Sequence, residues 1–231
     1  MSLYSLAQFL EDTADQPTPD GSVFELESDY MLQVNLNGMV WIKRGAMVAY
    51  RGDISFKREG MLAQGIGGLI KKPVTGEGSK LSMAQGRGQL YLADKGKRIS
   101  VLDLAGESIV VNGNDLLCFE PQITNEITMM RKLSAIVSGG LFNVRLTGRG
   151  LIAITTHHRP VTLMVEPGRP VFTDPQATVA WSASLTPDYK TDIQLKSLMG
   201  RGSGESFQMK FDGSGYVIVQ PYEEDLMQHD E

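Results

Sequence analysis

The chain alternates apolar and polar residues in short runs, the signature of strands rather than helices. In Leu32-Gln-Val34-Asn-Leu36 the apolar residues share one face, and Val101-Leu-Asp-Leu104 and Val217-Ile-Val219 read as buried or half-buried strands. A larger pattern occurs three times: a small residue, an aromatic, three residues, then Ile or Leu and Ser or Thr. The copies are Ala49-Tyr50 to Ile54-Ser55, Cys118-Phe119 to Ile123-Thr124, and Ala180-Trp181 to Leu185-Thr186. Each is followed by Gly-x-Gly and an alternating apolar run, at Gly86 and Gly88, Gly148 and Gly150, and Gly213 and Gly215. The aromatics are 69 and 62 residues apart and the Gly-x-Gly pairs 62 and 65. Two markers with matching spacing point to internal repetition.

Further features recur at the same places. Glycine-rich stretches lie between the markers, at 65–70, 138–142 and 198–204. Upstream of each aromatic an apolar run ends in glycine, read as Gly45, Gly106 and Gly168, with the first copy shorter. Asn112-Gly113-Asn114-Asp115 and Asp174-Pro175-Gln176-Ala177 suit tight hairpins, because Asn-Gly tolerates positive φ and Pro presets φ. The six marker glycines read as structural, permitting a bulge or a close backbone approach.

The expectation is an all-β chain: one pseudo-threefold, barrel- or sandwich-like domain over 23–221, with repeats near 28–88, 89–150 and 151–221. The last strand, Tyr216 to Gln220, is expected to close against the first. Helix is expected only near the N-terminus, with Ser2 capping a face of Leu3, Leu6, Ala7 and Leu10. Residues 1–22 then form a short helix and polar linker, and 222–231 an acidic tail. Ile127 to Val137 fits strand or helix equally.

Composition narrows the class. The 231 residues carry a formal net charge of −5, with 42% apolar and 21% charged residues, ordinary values for a globular protein. One cysteine, Cys118, supports neither an internal disulfide framework nor a thiolate zinc site. The longest uncharged apolar-rich run, Leu133 to Val144, is 12 residues, too short for a spanning helix. The N-terminal stretch has acids and no bases, unlike a signal or transit peptide, so a cytoplasmic location is expected.

Standard chemical motifs are missing from the sequence. No Gly-x-x-x-x-Gly-Lys-Ser/Thr occurs, and Tyr91 stands where a dinucleotide fingerprint needs glycine. His157 and His158 are adjacent, so in a strand they face opposite ways and do not readily share an ion. Cys118 lies in an apolar run, the usual setting of an inert thiol. No metal, cofactor or catalytic constellation is therefore expected.

Charge is unevenly spread. Residues 1–42 hold 7 acids and no bases, 71–98 hold 7 bases and 2 acids, and 127–165 hold 5 bases and no acids. Lys71, Lys72, Lys80, Arg87, Lys97, Arg98, Arg145 and Arg149 are thus the candidate residues for an anion- or partner-binding surface. The segment 70–81, IKKPVTGEGSKL, reads as an insertion with an exposed loop. The negative net charge and the few aromatics, not interleaved with the bases, argue against a dedicated nucleic-acid binder.

The stretches GMVWIKRGAMVAYRGDISFKREG, SGGLF with LTGRGLIAIT, and RGSGESFQMKFDGSGYVIVQ together resemble the altered-inheritance-of-mitochondria protein family. The resemblance spans roughly residues 23 to 220. It implies the TRAP-like β fold, named after the tryptophan RNA-binding attenuation protein, and brings no catalytic residues or established enzyme activity. Eukaryotic members of that family are mitochondrial and linked to inner-membrane organisation, whereas the N-terminus here reads as that of a bacterial-type relative.

The expected function is a non-enzymatic scaffold or interaction protein that self-associates as a homo-oligomer with a protein partner still to be identified. The alternative is a binding module that takes an anionic ligand (lipid headgroup, nucleic acid or small anion) on the basic surface. An enzyme would need polar groups converging in one deep pocket.

Overall fold

A computed structural model describes residues 4–15, 21–58, 81–129, 142–191 and 207–223. One short helix, α1 (Leu6–Asp12), precedes fourteen strands. They are β1 (Phe24–Ser28), β2 (Met31–Lys43), β3 (Met47–Arg58), β4 (Leu81–Leu92), β5 (Arg98–Asn112), β6 (Leu116–Phe119) and β7 (Thr124–Met129). Next come β8 (Phe142–Thr156), β9 (Val161–Val165), β10 (Val171–Thr173), β11 (Thr178–Ser182), β12 (Asp188–Thr191), β13 (Phe207–Phe211) and β14 (Gly215–Val219). The all-β expectation holds. Among the described residues no helix is long and apolar enough to cross a membrane.

Every strand pairing among the described residues is antiparallel. One sheet runs β3-β4-β2-β6-β8-β5-β11-β14-β9, with β1 added to β2 and β7 to β8, and a second runs β10-β13-β12. The larger sheet has two ends, β3 and β9, that do not pair with each other, so it is not a closed barrel. The final strand also departs from expectation. β14 pairs with β11 and β9, while β2 is flanked by β1, β4 and β6.

In each of the stretches β2–β4, β5–β8 and β9–β14 the last strand lies between earlier ones. β4 lies between β3 and β2, and β8 between β6 with β7 and β5. β14 lies between β11 and β9, and β13 between β12 and β10. The sequence markers fall at these pairings. Tyr50 pairs with Leu90, Phe119 with Ile152 and Trp181 with Val217, each two residues past the second marker glycine. One residue is skipped just before the small residue in every stretch: Val48, Leu117 and Val179. Such a bulge inserts an extra residue and twists the strand. Three turn hydrogen bonds repeat as well, from Ala93 N to Ala46 O, Thr155 N to Asp115 O and Gln220 N to Ala177 O, at 2.9, 2.7 and 2.9 Å.

The upstream glycine was misplaced by the sequence reading. Gly106 does not end a strand but lies inside β5, at a register shift opposite Gly148. Its counterpart is Gly38, inside β2 and opposite Gly86, rather than Gly45, which sits in the β2–β3 turn. With Gly38 in place the first stretch is no longer short. The boundaries proposed after Gly88 and Gly150 also fall inside β4 and β8.

The marker glycines reflect a crowded crossing. Gly86 adopts φ +142°, and a Cβ there would fall against the Asp53 carbonyl of β3. A side chain would therefore meet backbone that cannot swing aside. Apolar residues gather in three clusters: around Leu32, Val34, Leu90 and Leu117; around Phe119, Val144, Leu146 and Ile152; and around Trp181, Met209, Phe211 and Val217. Trp41 and Phe119 stack with ring centroids 6.2 Å apart where β2 meets β6.

The glycine-rich stretches and the 70–81 insertion lie almost wholly outside the described residues, only Leu81 and Phe142 being included. Ile127 resolves as strand in β7, and the rest of its run after Met129 is outside the description.

Gly86→Ala and Gly148→Ala separate clash from backbone strain. Both glycines have similar positive φ, but a Cβ at Gly148 meets nothing nearer than the Gln122 carbonyl at 3.4 Å. Urea unfolding is expected to show Gly86→Ala destabilised by about 3 kcal/mol and Gly148→Ala by about 1 kcal/mol. Equal losses would refute the close-approach explanation.

Candidate functional site

The two ends of the large sheet carry unusual chemistry. In β3, Met47 to Tyr50 are all exposed. In β9, Val161 to Met164 are all exposed, and only Val165 is buried. Strands on a settled surface alternate polar out and apolar in, yet here Met47, Val48, Tyr50, Val161, Leu163 and Met164 all face solvent. Among the described residues β3 bonds only to β4 and β9 only to β14, so each leaves one side of its backbone unmatched within the sheet. Exposed apolar edges of this kind are templates for strand addition.

Where the stretches join internally, the corresponding segments are sealed. Phe119 and Cys118 of β6 pair with Trp41 and Ile42 of β2. Ala180, Trp181 and Ser182 of β11 pair with Val111, Val110 and Ile109 of β5. All of β6 and all of β11 are buried.

The join beside β6 is tied by a buried ionic cluster. Lys43 Nζ lies 2.8 Å from Asp94 Oδ2, and Lys97 Nζ lies 3.0 Å from Asp115 Oδ1 and 3.8 Å from Asp94 Oδ2. Lys43 Nζ also donates to the Asn114 carbonyl at 2.6 Å, and Thr155 Oγ1 to Asp94 Oδ2 at 2.9 Å. These residues come from the end of β2, from the turns after β4 and β5 and from β8, so the cluster ties two turns to two strands. Asn112 Nδ2, donating to the Thr178 carbonyl at 3.2 Å, plays a smaller part at the join beside β11.

This cluster changes the reading of the basic residues. Lys97 is 3% exposed and committed to carboxylates, so it does not lie on an anion-facing surface. Arg98 pairs with Asp29 at 3.1 Å, Arg87 Nε donates to Asn37 Oδ1 at 3.3 Å, and Arg145 donates to the Ala183 carbonyl at 3.3 Å. Arg87 and Arg149 are exposed at their Gly-x-Gly sites, on strands β4 and β8 that β2 and β6 separate. Lys71, Lys72 and Lys80 lie outside the described residues.

The N-terminal helix is capped by Ser5, not Ser2: Ser5 and Gln8 form a reciprocal capping box. Leu6, Phe9 and Leu10 on it are exposed. Asp15 fastens the segment to the sheet through Arg51 at 2.9 Å and the Tyr91 hydroxyl at 3.3 Å. The Arg51 hydrogen bond and charge hold the Asp15 carboxyl below the usual range. Nearby, burial first and then Glu25 and Asp15 push the Glu27 carboxyl up, and its Oε1 is buried without a hydrogen bond.

Burial also pushes the Cys118 thiol well up, the opposite of nucleophile activation. His157 stacks on Tyr222 with centroids 3.8 Å apart. Among the described residues no group of three metal-ligating side chains converges.

Comparison with known proteins follows from this geometry. The family model for mitochondrial biogenesis AIM24 matches residues 24–222. The chain is similar to the crystal structure of a Streptococcus pyogenes protein, with a TM-score of 0.66 and 19% identity over 87% of this chain and 92% of that one. That likeness speaks for the fold. No curated protein matches.

Two stability comparisons test the charge assignments. Lys97→Met strands a buried carboxylate and is expected to cost about 3–5 kcal/mol in denaturant unfolding. Arg98→Met at the exposed pair should cost no more than about 1 kcal/mol, and equal costs would argue against the buried cluster. Glu27→Gln removes a carboxylate whose charged form burial disfavours. Because the folded carboxyl titrates above its unfolded value, the variant should gain less than about 1 kcal/mol at neutral pH. Thermal melts should show that gain shrinking as pH falls through the raised value.

Proposed function

We propose that this chain, which belongs to the mitochondrial biogenesis AIM24 family, is a non-enzymatic scaffold that self-associates through the ends of its large sheet. The observation that carries the reading is the pair of exposed apolar end strands, β3 and β9, in a chain whose other joins are sealed. An exposed apolar strand with an unmatched backbone side is a ready template for pairing with another chain.

A finer architectural reading goes with it: three copies of one unit arranged as a TRAP-like, pseudo-threefold β domain. The recurring bulge at Val48, Leu117 and Val179, and the recurring turn hydrogen bond, support it. Under this reading the copies differ in function only at their outer sides, four of which are consumed by the two internal joins. A cytoplasmic location goes with it as well. Anion binding has less support, because most of the described basic candidates already serve protein acceptors.

Native mass spectrometry of gently purified protein tests the reading. The expected result is a set of multiples of 25.3 kDa. A strictly monomeric species across the micromolar range would overturn it. A reproducible extra mass on the monomer would favour a ligand-binding module instead.

A further inference from the structure

The two exposed ends of the sheet are not the same kind of end. Within the chain, each join sets the second strand of one stretch beside the first strand of the stretch before it: β6 beside β2, and β11 beside β5. β3 is the second strand left over, and β9 is the first strand left over. Each end is therefore the counterpart of the other and not of itself.

The burial contrast is position by position. Val48 corresponds to Leu117 and Val179, the skipped residues of the shared bulge. Val48 is 55% exposed, while Leu117 and Val179 are fully buried. Tyr50 is 46% exposed, while Phe119 and Trp181 are 0% and 3% exposed. The apolar character needed to seal a join is present in β3 with nothing sealed against it among the described residues. On the opposite end Met164 is 66% exposed and Val161 55%.

Resting on the self-association reading, we infer that the partner of this surface is a second copy of the same chain, docked head to tail: the β3 edge of one copy lies along the β9 edge of the next. The order second, last, first strand then continues across the boundary as it does inside the chain. Such a contact is heterologous, so the assembly closes into a ring or extends as a filament instead of stopping at a symmetric dimer. Main-chain hydrogen bonds between the edges supply affinity, and the exposed Val, Tyr, Leu and Met side chains supply the buried apolar area.

Complementation between two blocked edges tests this. Val48→Lys places a charge on the β3 edge, and Met164→Lys places one on the β9 edge; both sites are exposed, and an edge lysine opposes strand addition. Tyr50→Glu and Thr162→Lys form a second pair in case one variant folds poorly, with folding checked by circular dichroism. Sedimentation velocity is expected to show the wild type assembled and each variant alone as a monomer. An equimolar mixture of Val48→Lys and Met164→Lys is expected to form a discrete species of twice 25.3 kDa, because each copy retains the edge its partner lost. If one variant remains assembled by itself, the contact is symmetric and the head-to-tail assignment is wrong. If the wild type assembles and both variants assemble equally well, the edges are not the interface, although self-association stands. A monomeric wild type removes both readings.

Discussion

A β-strand offers hydrogen-bonding groups on both of its sides, and each must find a partner or water. That demand organises this molecule. The last strand of each stretch is flanked on both sides by strands of its own stretch. The flanking strands each have an outer side left over, and the joins β2 to β6 and β5 to β11 use four of these sides. Along the main path of the sheet this leaves two end strands with an unmatched outer side, β3 and β9.

Local chemistry makes the arrangement possible. The bulge before Ala49, Cys118 and Ala180 twists the second strand, and a small residue follows it. Gly86 and Gly88 admit the β3 backbone, at Asp53 and Arg51, closer than any side chain would allow. Lys43, Asp94, Lys97 and Asp115 then fix two turns against the end of β2 at the first join. A buried four-charge cluster is poor evidence for added stability, but it demands one geometry, because separating any member strands another. Its position at an internal join accords with a specifying role.

Much of the fold was legible because its markers are local. The aromatic beside a small residue, the Gly-x-Gly and the period-two runs each reflect a backbone requirement met within a few residues. What failed depended on distance. Gly45 and Gly38 are both followed by apolar residues, and only the pairing of β2 with β4 tells them apart. Lys97 looks like any surface base in sequence, because its partners Asp115 and Asp94 are brought together only by folded turns. Ser5 was overlooked although Gln8 three residues later completes a readable capping box. The exposed ends were not legible at all: Val48 and Val179 have the same residue type, and only topology leaves one of them outside.

The central claim is that β3 and β9 form one join between molecules, equivalent to the joins inside the chain. Hydrogen exchange of the wild-type protein at high and low concentration addresses it most directly. The account predicts that those amides of Met47–Tyr50 and Val161–Val165 that point away from β4 and β14 are slow at high concentration and become fast on dilution. Amides of Leu117–Phe119 and Val179–Trp181 should stay slow at both. Fast exchange of both end strands in a demonstrably assembled sample would contradict the account, as would end strands equally slow in the assembled protein and in the dissociated monomer.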